Sequence, residues 1–151
     1  MTGIERLQKR SERGSTIVEA AVIITVFFMF LFGVFEAGRA LNMQQVLTNA
    51  AREGARLAVT PLTATDTLPS YDEIKARVDG YLASASVTGA TVTVDPLFPV
   101  ATGSGTTYYT RVTVTRLYSV LTVPNFFNAL NITLKGEALM RNETSDGTEP
   151  Q

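Results

Sequence analysis

The chain has 151 residues, and its 13 basic and 14 acidic side chains leave a formal net charge of −1. That length suits one domain with a tether, and so even a balance gives no reason to expect nucleic acid or a charged polymer as a partner. There is no Cys, His or Trp, which excludes disulfides, zinc sites built on His or Cys, and every Ser-His or Cys-His nucleophile, and with them most enzyme classes.

Residues 1–14 form a short basic segment in which Arg6, Lys9, Arg10 and Arg13 outnumber Glu5 and Glu12. By the positive-inside bias it stays cytoplasmic, and whatever follows the next segment is exported. That next segment, 17–35, is a nearly unbroken apolar run. At about 1.5 Å rise per residue it matches the roughly 30 Å hydrocarbon thickness of a bilayer. A secretory signal has a similar plan, but its apolar core is usually only about 7 to 15 residues. A plain uncleaved anchor is the other simple alternative.

Neither alternative accounts for Glu19, a carboxylate in the first turn of the apolar run. At mid-bilayer such a group costs about 2.5 to 3.5 kcal/mol, less near an interface, so its presence points to a function and a missing partner. No Lys or Arg lies in 15–35. If the bond between Gly14 and Ser15 were cut, however, Ser15 would carry an ammonium one helical turn from Glu19, on the same chain or on a packed neighbour.

The helical period continues past 35 to the breaker Thr60-Pro61, through Ala40, Leu41, Val46, Leu47, Ala50, Ala51, Leu57 and Ala58 at spacings of three and four. A helix over 15–60 would be about 65 Å long, and its second half needs a domain to cover its apolar stripe. Gly33, Ala37, Gly38 and Gly54 suit either close helix approach or ordinary membrane-helix usage. After a Thr-rich connector, Ser70 stands as N-cap with Asp72 and Glu73 in the first turn of a second helix running to about 85. Its apolar face is Ile74, Val78, Tyr81 and Leu82.

Three strands are expected at 90–95, 107–118 and 131–141. Alternation turns Val92, Val94, Val112, Val114, Ile132, Leu134, Ala138 and Met140 inward, with Arg111, Lys135 and Glu137 outward. Pro96 and Pro99 should stop pairing, and Gly103-Ser104-Gly105 should supply the turn. The fold class is therefore α+β: a long N-terminal helix, a second helix and a small antiparallel sheet in a head spanning 61–141. In the apolar connection 119–130, Phe126 and Phe127 either close the open end of the sheet or form an exposed patch that docks another subunit. Tyr108 and Tyr109 suit cross-strand packing. Residues 142–151 read as a disordered acidic tail.

The basic leader, Gly14, and a carboxylate five positions into the mature segment resemble the processing site of type IV prepilins. More narrowly, V-E-A-A at 18–21, F-G-V-F-E-A-G-R at 32–39, L-T-N-A-A-R-E-G-A-R at 47–56 and the closing ITLKGEALMRNE are similar to the TadE-like minor pilins or pseudopilins of the tight adherence (Tad) secretion system. The resemblance implies cleavage between Gly14 and Ser15 by a prepilin peptidase and a subunit-docking role for Glu19. Its further implications are a bacterial inner-membrane location before entry into a pilus, and other pilins and the Tad assembly machinery as partners. No cofactor, metal, nucleic acid or small-molecule substrate is expected, the charge being balanced and the acidic side chains scattered. The alternative of a different class is a single-pass, membrane-anchored extracytoplasmic binding module, which needs neither Gly14 nor Glu19.

Overall fold

The computed structural model describes residues 3–60, 68–103, 105–120 and 131–141, with the side chains of 3–13, 102 and 105 excepted. The expectations for Phe126 and Phe127, for the connector 61–67 and for the tail 142–151 lie outside the described residues. The elements are α1 (Gly3–Ala58), α2 (Tyr71–Ser84), β1 (Ala90–Thr102), β2 (Gly105–Ser119) and β3 (Asn131–Arg141). They divide into two compact units, Met1–Arg39 and Ala40–Gln151.

The first unit is helical from Gly3. No proline interrupts α1, and its glycines stand singly, each a cost of about 1 kcal/mol that a helix of this length absorbs. Nearly all of its apolar side chains in 17–35 are exposed. By length and composition the segment is able to cross a membrane. Within it the Thr25 hydroxyl donates to the Ala21 carbonyl at 2.8 Å, so that polar atom needs no outside partner.

The second unit is a three-stranded antiparallel sheet, ordered β1-β2-β3, with the end of α1 and all of α2 contributing to one core. The core joins Leu47, Ala50, Ala51, Ala55 and Ala58 of α1 to Ile74, Val78 and Leu82 of α2 and to Val92, Val112, Val114 and Ala138 of the sheet. The α1 stripe is built of small residues because the packing is close. A Cβ on Gly136 of β3 would lie 2.3 Å from the backbone of Leu47, and one on Gly54 would lie 2.5 Å from Val78 Cγ2. Leu41, expected on this stripe, is instead 65% exposed. The Lys135 carbonyl of β3 accepts from the Gln44 side-chain amide, which ties α1 to the strand it overlies.

Ser70 caps α2 with a full capping box. The Glu73 amide donates to Ser70 Oγ at 3.4 Å, and the Glu73 carboxylate accepts from the Ser70 amide at 2.8 Å, satisfying donors that the first helical turn leaves open. These contacts hold the Glu73 carboxyl below its ordinary range, the backbone hydrogen bond from Ser70 being the largest cause. The helix ends at Ser84 with Ala85 as its C-cap; Ser86 lies in the left-handed region at φ 57, and the chain turns Val87 into the core. Tyr81, expected on the buried face, stays at its exposed margin, while the Tyr71 hydroxyl donates to the Val92 carbonyl at 3.1 Å and ties α2 to β1.

The sheet register pairs Val92 with Val114 and Val112 with Ala138, so the expected inward residues meet across strands. Val94, Leu134 and Met140 pack at the margin of that cluster. Two expectations change. Ile132, paired with Tyr118 near the end of the ladder, is 37% exposed rather than inward. β1 does not stop at the prolines: a register shift between Asp95 and Phe98 absorbs Pro96, and Pro99 pairs with Tyr108 before the hairpin closes at Thr102 and Gly105. Proline is tolerated there because β1 is an edge strand, where an amide missing from the outer side leaves the ladder intact. The buried Thr110 hydroxyl donates to the Pro96 carbonyl at 3.3 Å within this irregularity. In the register Tyr109 lies opposite Phe98 on one side and Arg141 on the other, while Tyr108, opposite Pro99, is exposed.

Candidate assembly site

Gly14, Ser15 and Glu19 fall within α1. A residue and the one four positions on share a helix face, so Glu19 lies one turn from Ser15 and on its side. All three are exposed, as are Ile17, Val18 and most of the apolar residues after them. Among the described residues Glu19 has no ion-pair partner. A Cβ on Gly14 would meet nothing within 4 Å, so packing within the chain gives no reason for a glycine at that position.

A second charged feature, not singled out in the sequence reading, closes the apolar run. Arg39 Nη1 donates to Glu36 Oε2 at 3.1 Å, and Glu36 is only 6% exposed. The spacing of three at the end of an uncharged run is a signal that could have found it.

The remaining ion pairs brace the head. Glu53 on α1 accepts from Arg56 Nη2 at 3.2 Å and from Arg77 Nε of α2 at 2.9 Å. The local partner is visible in the sequence; the cross-helix partner, 24 residues away, is not. These hydrogen bonds, that from Arg56 first and that from Arg77 second, hold the Glu53 carboxyl below its ordinary value. On the face of the sheet away from the helices, Arg111 stacks 3.8 Å from the Phe98 ring centroid and donates to Asp95 at 3.0 Å. Lys135 pairs with Glu137 and lowers that carboxyl. Lys75 likewise pairs with Asp79 along α2.

Each of these charges is met by a neighbour, which leaves little chemistry for a ligand. An open depression on α2 is lined by Ala76, Arg77, Gly80 and Tyr81, but its one charged member is already bound to Glu53. Among the described residues no group of three His, Cys, Asp or Glu side chains could hold a metal ion. Among the described residues, the exposed apolar helix and the carboxylate at its start point outward, as do Leu117 and Leu139 of the sheet.

Neither the curated proteins nor the solved structures give a match to this chain. Residues 14–56, from the glycine through most of the stripe that packs into the head, match the family model of the TadE-like proteins, consistent with a TadE-like protein of the Tad system.

Proposed function

We propose that this chain is a minor pilin or pseudopilin. It is inserted into the bacterial inner membrane through α1 with its N-terminus cytoplasmic, and is cut between Gly14 and Ser15 by a prepilin peptidase. It is then built into, or primes, a Tad-type type IV pilus serving adherence or secretion. The observation that carries this reading is an exposed carboxylate, Glu19, one turn from Ser15 on an exposed apolar helix, in a segment that matches the TadE-like family from residue 14 onward. A glycine inside a helix costs about 0.5 to 1 kcal/mol relative to alanine, and the open space at Gly14, as at Gly33 and Gly38, leaves room for a demand from outside the fold such as a peptidase cleft.

Hydrolysis of the bond between Gly14 and Ser15 leaves an ammonium group on Ser15. Paired with Glu19 of the same or a neighbouring subunit, it offsets the cost of keeping a carboxylate in apolar surroundings. The helix thereby gains a polar contact that is satisfied only when subunits are processed and correctly placed. The head contributes a stable, exported body rather than a catalytic centre.

The reading is tested by determining the N-terminus of the protein recovered from membranes of a host with a matching prepilin peptidase, by intact mass and terminal sequencing. A terminus at Ser15 is expected, and Gly14→Phe should leave the leader attached. Glu19→Ala should insert normally but enter the filament poorly. An uncut terminus, with the peptidase shown to be active on another substrate, would point instead to an anchored binding module.

A further inference from the structure

Along β2 the alternation that turns Val112 and Val114 into the core continues inward through Arg116 and Tyr118, while Thr113, Thr115 and Leu117 fall on the uncovered face. Polarity is reversed at one step of that series: an arginine takes the inward place, and Leu117, facing away, is 61% exposed. Arg116 is half-buried, and its Nη1 donates to the Met43 sulfur of α1 at 3.2 Å. A thioether is a weak acceptor, and a guanidinium offers several N–H donors. Among the described residues no carboxylate pairs with Arg116. A partly desolvated cation met so weakly points to an anion from outside the chain.

The place of Arg116 in the head says which anion. The head's share of α1 begins at Ala40, so Leu41 and Met43 stand at the end where the chain arrives from the apolar run. From Phe35 to Ala40 the helix rises about 7.5 Å, close to the roughly 5 to 8 Å of headgroup layer on each side of the hydrocarbon. Helix side chains lean toward the N-terminus, which carries the Met43 sulfur, and the guanidinium on it, further toward that layer. The sheet brings Ala90, Arg116 and Leu134 to this same end by pairing. The segments that converge there, 40–52, 80–94, 112–119 and 131–134, contain no Asp or Glu. Nothing in them repels a phosphate, and Leu41 and Leu117 are exposed beside them.

We propose that this end of the head is a lipid-docking surface, on which the Arg116 guanidinium binds a phospholipid phosphate while Leu41 and Leu117 enter the headgroup layer. The proposal rests on the reading of α1 as a membrane anchor, and on no step of pilus assembly. Guanidinium and phosphate make charge-assisted, often bidentate hydrogen bonds, which the thioether cannot supply. Docking adds a second hold on the bilayer to that of α1, and removing one charge releases it.

Because the chain has no cysteine, Thr133→Cys, opposite Leu117, and Thr106→Cys, near the hairpin turn, can each carry a single fluorophore on the full-length protein. The protein is reconstituted in vesicles of phosphatidylethanolamine and phosphatidylglycerol with nitroxide on some of the headgroups. The label at 133 should be quenched and that at 106 should not. Arg116→Gln should lose most of the quenching at 133, and Arg116→Lys should keep part of it. Leu117→Ser, which removes nothing from the core, should also lose part, so the result does not depend on how well Arg116→Gln folds. Quenching that Arg116→Gln or Leu117→Ser leaves unchanged would mean that Arg116 only closes the margin of the core, and would overturn the docking surface. A dependence on Arg116 that appears only when the protein is crowded in the membrane would assign the surface to a neighbouring subunit and overturn it as well. Release of the unaltered chain by carbonate would instead sink the anchor reading, and the proposal with it.

Discussion

Two glycines mark the closest approaches in the head, and their neighbours differ in kind. At Gly136 an added Cβ would strike the carbonyl and backbone of Leu47, at 2.3 and 2.4 Å; at Gly54 it would strike a methyl of Val78 at 2.5 Å. Backbone held in a helix yields less readily than a side chain, so Gly136→Ala forces α1 off the sheet. It should cost at least the roughly 1 to 3 kcal/mol typical of overpacking. Gly54→Ala incurs a similar clash, but it recovers up to about 1 kcal/mol of helix propensity and meets a neighbour that can rotate. Thermal unfolding of the full chain in detergent should therefore rank Gly136→Ala below Gly54→Ala, and both below the parent. For a domain of this size each kcal/mol lowers Tm by about 4 to 8 °C. A neutral Gly136→Ala would mean that α1 does not lie against β3.

The elements themselves were largely legible, because their signals are local. Ser70 and Glu73 announce the start of α2 three residues apart, and the alternation of Val112, Val114 and Ala138 announces the covered face of the sheet. What was not legible depends on contacts distant in sequence. The continuation of β1 past Pro99 depends on its edge position, the exposure of Leu41 on where the core stops, and the clamp between Glu53 and Arg77 on how two helices meet. In the candidate site, Gly14 and Glu19 stand out as residues because a break in pattern is itself local, whereas the sheltering of Glu36 is not visible from its neighbours. The helix clamp has a pH signature. Glu53 titrates below its ordinary value near 4.5 in the folded chain because Arg56 and Arg77 favour its ionised form. The unfolded chain then binds that proton more tightly, so the contribution is complete above the ordinary value and is lost as pH falls through the lower folded one. Glu73 and Glu137 shift in the same direction. Arg77→Gln should reduce stability at pH 7 by less than about 1 kcal/mol, as for an exposed pair. Denaturant titrations of parent and variant should converge once pH falls below the lowered folded value of Glu53; a difference that persists there would show that Arg77 acts by packing rather than by charge.

At the scale of the whole molecule, the apolar surface is divided unequally between the two units. Most of the large exposed apolar side chains, among them Ile17, Val18, Phe27, Phe28, Met29 and Phe30, belong to the first. An exposed apolar surface of that extent is a liability in water and an asset in lipid or against like helices. Every residue of the core cluster, from Leu47 to Ala138, belongs to Ala40–Gln151. The head thus has what a domain needs to fold alone, provided it keeps the end of α1. A fragment beginning at Ala40 should be monomeric without detergent, with a dispersed amide spectrum and slow hydrogen exchange at Val112 and Val114, whose side chains are fully buried. A fragment beginning at Val59 loses Leu47, Ala50, Ala51, Ala55 and Ala58 from the core, and with them the cover over β3. It should be unfolded or aggregated, since the sheet face would present its valines to water. If the Val59 fragment folded as well as the Ala40 one, α1 would be only a tether to an independent head. Folding of the Ala40 fragment alone would instead mean that one continuous helix serves two solvents, its first half selected for lipid or neighbouring helices and its second for the core it completes.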